Sequence, residues 1–256
     1  MSSQKAHAFR IEQVSKSFGT TKALSSVCLS VEEGEVVGIV GPSGSGKTTL
    51  LRLLGGMLQP SAGQVQSGGR MVAHFSRKEL LHRRRNTGFI HQSLNLVPEL
   101  KVLANVLVGR LGYMGVWGAL RALLWPRKDD LLAVHKCLER VALTEKMYAR
   151  TSKLSGGQQQ RVAIARVLFQ DPTAIFADEP ISAVDPARAR DLLELLSGIN
   201  QETGKTIIVS LHNIELAKEF CSRLVGMRAG QIVFDKPAGQ VTEKDLAALY
   251  ELEARS

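Results

Sequence analysis

Cysteine is scarce in this chain of 256 residues, with Cys28, Cys137 and Cys221 scattered along it. No pair stands at a metal-ligand spacing, and an odd, unclustered set excludes a disulfide framework and suits a reducing cytoplasm. Aromatic residues make up 5% of the chain, which argues against base-stacking platforms for nucleic acid. Met1 to Arg10 holds no apolar signal core, so no export signal is expected. Acidic charge is in deficit: 24 Asp and Glu stand against 33 Lys and Arg, giving a net charge of +9 and a pI near 9.7. That balance favours an anionic partner, whether nucleotide, nucleic acid or phospholipid. The densest basic run, His82-Arg83-Arg84-Arg85, reads as a solvated helix face rather than a nucleic-acid patch. Long apolar runs are also missing, with one exception. Val102 to Trp125 carries only Arg110 and Arg121 as charges and approaches the length of a membrane span. However, Gly109, Gly112, Gly115 and Gly118 weaken a continuous helix, and the two arginines with Asn105 would be costly in lipid. A cytoplasmic helical segment with an apolar docking face is the expectation.

What is present is a phosphate loop. Gly41-Pro42-Ser43-Gly44-Ser45-Gly46-Lys47-Thr48-Thr49 fits G-x-x-x-x-G-K-T. An apolar run, Val36 to Val40, precedes it as a buried parallel strand would, and a helical pattern follows from Thr49 to Leu54. Strand, glycine turn and helix start make an anion site, with backbone N–H groups pointing inward and the helix dipole adding positive charge. Lys47 would bridge the β- and γ-phosphates of a nucleoside triphosphate, and the Thr48 hydroxyl would ligate Mg²⁺.

The rest of the pattern is α/β. Phe9–Val14 and Val27–Val31 alternate as two antiparallel strands, with Ser17 to Thr21 between them as a loop. Gln59 to Gly69 is turn-rich, Ser76 to Glu79 is a capping box opening a basic helix, and Gly88 to His91 is a strand. Pro98 to Ala149 is mainly helical, with one helix opening at Asp129-Asp130. Gly156–Phe169 is a helix, Ala174–Ala177 a strand, Pro186–Thr203 a helix and Lys205–Ser210 a strand. Asp185 suits the N-cap and Gly204 the end of the third of these. Two α/β portions therefore flank a helical insertion.

A second motif agrees with the first. Ala174 to Glu179 is an apolar strand ending in two acids. Asp178 is assigned to hold Mg²⁺ against bound phosphates, and Glu179 to polarise an attacking water. The third motif, Leu154-Ser155-Gly156-Gly157-Gln158, opens a helix and is a second anion site. With these motifs in this order, the chain resembles the ATP-binding cassette of ABC transporters over about residues 8 to 235.

The resemblance implies the following. The fold is a P-loop NTPase core, a mixed sheet with an antiparallel β subdomain, plus an inserted α-helical subdomain. The ATPase domain spans 8–240, with core segments 8–92 and 166–240 and a helical part about 93–165, and 241–256 form a short helix or tail. ATP and Mg²⁺ are the cofactors. Two cassettes pair as a homodimer or cassette pair, so that Ser155, Gly156, Gly157 and Gln158 of one close on ATP held by Lys47 of the other. Gln92 takes the place of a glutamine that touches Mg²⁺ and the water, and His212 that of a histidine on the γ-phosphate. Asp185 ends a segment, Ser182 to Asp185, that crosses the dimer interface, where Val184 replaces the commoner leucine. Phe18 occupies the position of an aromatic that stacks on adenine.

Within that family, Ala104 to Gly112, with Trp117 and Trp125 downstream, is similar to the phosphonate/phosphite importer ATPases. The implied partners are membrane permease subunits, which dock on the helical insertion, and a periplasmic-type solute-binding protein, with no nucleic acid. The implied location is the cytoplasmic face of the inner membrane, as a peripheral subunit. Gly230 to Ser256 leaves no room for the regulatory domain of a maltose-type importer. An exporter or lipid-extraction ATPase, a non-transport cassette on a phosphonate-degrading lyase complex, and a nucleic-acid-associated cassette remain the alternatives.

Overall fold

The computed structural model describes residues 7–182 and 185–250. In chain order the strands are β1 (His7–Phe18), β2 (Thr21–Glu32), β3 (Val36–Val40), β4 (Ala62–Ser67), β5 (Arg70–Met71), β6 (Thr87–Ile90), β7 (Ala174–Asp178), β8 (Thr206–Leu211), β9 (Arg223–Arg228) and β10 (Gln231–Pro237). The α-helices are α1 (Lys47–Leu54), α2 (Arg77–Arg85), α3 (Val102–Leu107), α4 (Val116–Leu124), α5 (Lys128–Arg140), α6 (Gly156–Gln170), α7 (Pro186–Thr203), α8 (Ile214–Phe220) and α9 (Glu243–Tyr250).

Two sheets form. One is antiparallel, in the order β2-β1-β4-β5, and the other is mixed, in the order β10-β9-β3-β8-β7-β6. Within the second, β3 runs parallel to β8 and β9, β7 runs parallel to β8 and β6, and β10 turns back antiparallel on β9. Every residue of β6, β7 and β8 is buried, the signature of parallel strands covered on both faces. One face packs against α1 and the antiparallel sheet, where Phe176 meets Phe9 edge-on at 5.3 Å. The other packs under α3, α5, α6 and α7, with Val106, Leu138, Ile164, Ile175 and Val209 in one continuous core. The expected junction at 165/166 lies inside the unbroken α6, so the helical region shares this core with the sheet.

Three sequence readings change. The segment from Ser17 to Thr21 is a tight hairpin tip, because β1 extends to Phe18 and β2 begins at Thr21, with only Gly19 and Thr20 between them. The turn-rich 59–69 segment contains strand β4, whose alternation is weak because only Val65 is buried. The arginine run is not a free solvated face. Arg83 is buried and its Nη2 donates to Leu54 O at 2.5 Å, while Arg84 Nε donates to Gly56 O at 3.1 Å. Both satisfy carbonyls at and just beyond the C-terminus of α1, which the helix itself leaves unpaired.

The long apolar run divides into α3, a 3₁₀ stretch at Val108–Tyr113, and α4. No helix among the described residues is long and apolar enough to cross a membrane. Residues 251–256 of the expected tail, and Ala183 and Val184 of the expected interface segment, lie outside the described residues.

Burial separates the cysteines chemically. Cys28 is exposed, whereas Cys221 is buried and its thiol is pushed up to about 12 by desolvation. In the native protein near pH 8, a thiol reagent should label Cys28 rapidly and leave Cys221 unmodified until denaturant is added. Rapid native labelling of Cys221 would contradict this packing.

Candidate functional site

The parallel strands deliver their chemistry to one edge of the sheet. The phosphate loop leaves the end of β3, Asp178 closes β7 and Glu179 follows it, Ser210 and His212 flank the end of β8, and Gln92 lies just past β6. Register aligns these ends: Val40 pairs with Leu211, Asp178 with Ser210, and Ile90 with Ala177. In open α/β sheets, ligands bind outside the carboxyl ends of the strands.

The phosphate loop is shaped by two close approaches. Gly46 sits at φ 103°, and a Cβ there would lie 2.7 Å from Ala23 O. Gly41, at φ 147°, has no room for a Cβ beside the Met227 carbonyl. The first helical hydrogen bond runs from Leu50 N to Gly46 O, so the N–H groups of the preceding turn have no acceptor within α1. Lys47 is 4% exposed, and its Nζ donates to Gly41 O at 2.9 Å and Pro42 O at 3.0 Å. Burial lowers its pKa, opposed by the charges of Glu179 and Asp178. Ser45 is also buried, and its hydroxyl has no partner among the described residues. Pro42, Thr48 and Thr49 are half-buried, while Ser43 and Gly44 are exposed.

Beside the loop runs a hydrogen-bond chain. Thr48 Oγ1 donates to Asp178 Oδ1 at 3.0 Å, and Ser210 Oγ donates to the same oxygen at 2.9 Å. Glu179 N donates to Ser210 Oγ at 2.9 Å. The Glu179 carboxylate is held from both sides, with Oε2 accepting from Gln92 Nε2 at 3.1 Å and Oε1 lying 2.5 Å from His212 Nε2. Glu179 occupies the left-handed region at φ 49°, which costs on the order of 1–3 kcal/mol and persists only where surroundings enforce it. Here the enforcement is Ser210 on its N–H and Ser182, whose N and Oγ both donate to its carbonyl.

Sequence reasoning passed over two residues. Ser210 is fully buried and interrupts the apolar run Ile207 to Leu211 of β8, and that polar intrusion was the available signal. Arg166 on α6 donates to Leu94 O at 2.7 Å and Asn95 O at 2.8 Å. It clamps a loop just after Gln92 in which Leu94 and Asn95 both hold positive φ. Nothing local in the sequence pairs residues more than seventy positions apart.

The structure thus brings Lys47, Thr48, Asp178, Glu179, Gln92 and His212 together. Among the described residues, no hydrogen bond links Ser155–Gln158 to this cluster. Ser155 caps α6 through a capping box with Gln158, its Oγ accepting from Gln158 N at 3.4 Å while Gln158 Oε1 accepts from Ser155 N at 3.0 Å. With Gly157 and Gln158 it lines a cavity of about 210 Å³ shared with Arg188 and Asp191 of α7. Gly156 is exposed. Phe18 is 49% exposed at the hairpin tip with Lys16 Nζ 5.2 Å from its ring centroid, so its face is not spent in the core. Asp185 caps α7 by accepting from Arg188 N at 3.1 Å.

This donor set suits a nucleoside triphosphate with a hard divalent cation. A desolvated lysine bonded only to two loop carbonyls, at the start of a helix, favours a polyanion. A hydroxyl and a carboxylate oxygen in contact favour Mg²⁺, which keeps waters and phosphate oxygens for its other positions. No cluster of three His, Cys, Asp or Glu exists among the described residues to hold a metal by protein alone.

Comparison with known proteins agrees with the geometry. The family model described as ABC transporter matches residues 24–182. A phosphonates import ATP-binding protein, PhnC 3 of Halalkalibacterium halodurans, is 43% identical over 235 residues, covering 92% of this chain and 90% of that protein. PhnC of Shouchella clausii is 44% identical over 243 residues, covering 94% and 90%. Among solved structures, the dimeric ATP-binding cassette MJ0796 in a post-hydrolysis state with ADP and Pi superposes with a TM-score of 0.78 at 33% identity, covering 90% of this chain and 98% of that one. CbiO1 of Clostridium perfringens, part of an ABC transporter complex, gives 0.80 at 26% identity over 98% and 96%.

Proposed function

This chain belongs to the ABC transporter family, and from that premise we propose that it is the ATP-hydrolysing subunit of an importer for phosphonate- or phosphite-type anions. The observation that carries the catalytic part is the position of Glu179, held between Gln92 and His212 and one residue from the Thr48–Asp178 pair. The resemblance to proteins named for phosphonate import supports the choice of cargo.

Each residue has a physical role in this reading. Lys47 and the N–H groups of Gly44 to Thr49 hold the β- and γ-phosphates, with Gly41 to Ser43 shaping the approach. Phe18 offers its exposed face to the adenine. Thr48 and Asp178 would hold Mg²⁺, with Gln92 as a further contact in this reading, and that ion would neutralise charge on the phosphate oxygens. Ser210 fixes Asp178 and the Glu179 backbone at once. Glu179 takes a proton from the attacking water, and Gln92 and His212 aim its two oxygens. His212 then faces the γ-phosphate. Ser155 to Gln158 and Asp185 complete the pocket of a second cassette, because they open α6 and α7 and, among the described residues, no hydrogen bond links them to the Lys47 cluster.

Dimer closure on ATP and reopening after hydrolysis would drive membrane permease subunits docked on the helical region. A periplasmic-type binding protein would supply the cargo, and the subunit would sit peripherally on the cytoplasmic face of the membrane. This reading is tested by co-purification. The chain should bring down a permease and a phosphonate-binding protein, and its Mg²⁺-dependent ATP turnover should rise with them. Capture of a soluble lyase complex without a permease, or stimulation by DNA instead, would refute the importer.

The split site has its own test. Ser155→Ala should weaken ATP-driven dimerisation about tenfold or more, the loss of a hydrogen bond to a charged group, while ATP binding to the monomer changes little. Sedimentation of a hydrolysis-deficient background, with and without ATP, reads the difference. Equal loss of both would place the Ser155–Gln158 turn in the same pocket as Lys47.

A further inference from the structure

We infer that the exposed face of α4 rests directly on an anionic lipid surface. Helix geometry divides α4 in two. Ala119, Ala122 and Leu123 turn inward and are buried or half-buried. Val116, Trp117, Leu120 and Leu124 turn outward, continued by Trp125 at the C-cap. Trp117 is 83% exposed and Trp125 is 70% exposed. These are the chain's two tryptophans, so its whole complement of that residue stands in solvent on one short helix. A large indole left in water at both ends of a helix is unusual for a surface without a partner.

Charge selects the partner. Trp117 and Arg121 stand four residues apart on α4, and Trp125 follows four residues later at its C-cap, so the charge and the two indoles border one exposed face. Arg127 and Lys128 follow at once, and all three cations are exposed with no salt bridge among the described residues. Between Glu99 and Asp129 there is no acidic residue. An apolar face bordered by tryptophan, carrying only positive charge and too short to span a bilayer, is the chemistry of a helix lying at the headgroup boundary. Cations there gain from anionic lipid, and the rings gain from leaving water at the level of the headgroups. A partner protein groove would need its own acids and a matching apolar trough. A lipid surface supplies both without specific shape. The inference rests on the placement at a membrane proposed above and adds a direct lipid contact independent of any permease.

The test uses the full chain and vesicles without permease. Tryptophan emission reports this face alone. With phosphatidylcholine vesicles containing phosphatidylglycerol, emission should move to shorter wavelength and be quenched by brominated acyl chains, and the protein should sediment with the vesicles. With pure phosphatidylcholine it should do neither. Arg121→Gln with Arg127→Gln and Lys128→Gln should weaken binding roughly tenfold or more, from the loss of three surface charges. Trp117→Ser with Trp125→Ser should do the same by sedimentation, with the nucleotide-induced thermal shift confirming an intact fold. Should the tryptophan variant fail to fold, the charge variant and the quenching of the parent protein decide. No emission change on anionic vesicles overturns the inference. So does undiminished binding by the variants, or a blue shift produced only by a permease or by raising protein concentration without lipid. Permease-stimulated ATP turnover in the first two of these cases would leave the transport reading standing and remove only the lipid contact.

Discussion

Glu179→Gln should bind ATP, trap a closed dimer and lose about 10²- to 10⁴-fold in turnover, the usual share of a positioned general base. The substitution keeps the shape and one acceptor oxygen, which can still take the Gln92 Nε2 hydrogen bond, and turns the position facing His212 Nε2 into an N–H donor. It removes the carboxylate's charge and its capacity to accept a proton. Backbone strain at φ 49° is unchanged because its supports, Ser210 and Ser182, act on the main chain. The effect should therefore lie in kcat with little change in nucleotide affinity. Single-turnover hydrolysis and nucleotide binding, measured on the same preparation, separate the two. A glutamine variant turning over at the parent rate would remove Glu179 from the chemistry.

Lys47→Met should abolish measurable nucleotide-dependent thermal stabilisation without lowering the thermal midpoint of the nucleotide-free protein. The argument is one of linkage. Burial lowers the Lys47 pKa in the folded chain, so the folded state resists carrying that proton more than the unfolded state does. For such a depressed base, the destabilisation is fully present below the folded pKa and is relieved as pH rises through it toward the ordinary lysine value. At neutral pH the protein thus bears the cost of a desolvated cation, offset in part by the charges of Glu179 and Asp178, while the Gly41 and Pro42 carbonyls accept its hydrogen bonds. Methionine fills similar volume and carries no charge. If the lysine exists to grip phosphate, its loss removes the binding and relieves the strain of burying it, the familiar exchange of stability for activity. Thermal denaturation with and without Mg²⁺-ATP reads both. A variant that melts well below the parent and retains an ATP-induced shift would make Lys47 a structural residue.

Much of this site is legible in one dimension because its parts are local. A phosphate loop needs strand, glycines and helix start within a few residues, and Gly41 to Thr48 carries them contiguously. The acids at Asp178 and Glu179 end an apolar run that can only be a buried strand, and Asp185, Pro186 and Gly204 bracket α7 as helix-end chemistry requires. Local steric and hydrogen-bonding rules determined these elements, the α/β class and the family resemblance. Where local signals were weak, the reading failed. β4 buries one side chain, so its strand character comes from pairing with β1 rather than from its own alternation. The arginines at 83 and 84 look like a solvated run until α1 places its terminal carbonyls against them.

Tertiary structure alone decided what meets what. Only parallel pairing of β7 with β8 sets Ser210 against Asp178, and only their common edge lets Gln92 and His212 grip Glu179 from opposite sides. Arg166 finds the loop after Gln92 because α6 crosses over it. α4 keeps its tryptophans in solvent because Ala119, Ala122 and Leu123, not the indoles, face the core. The physical reason is common to all four. Hydrogen-bonding and packing energies act through space at a few ångströms, while the chain encodes order along a line, and long-range register converts one into the other.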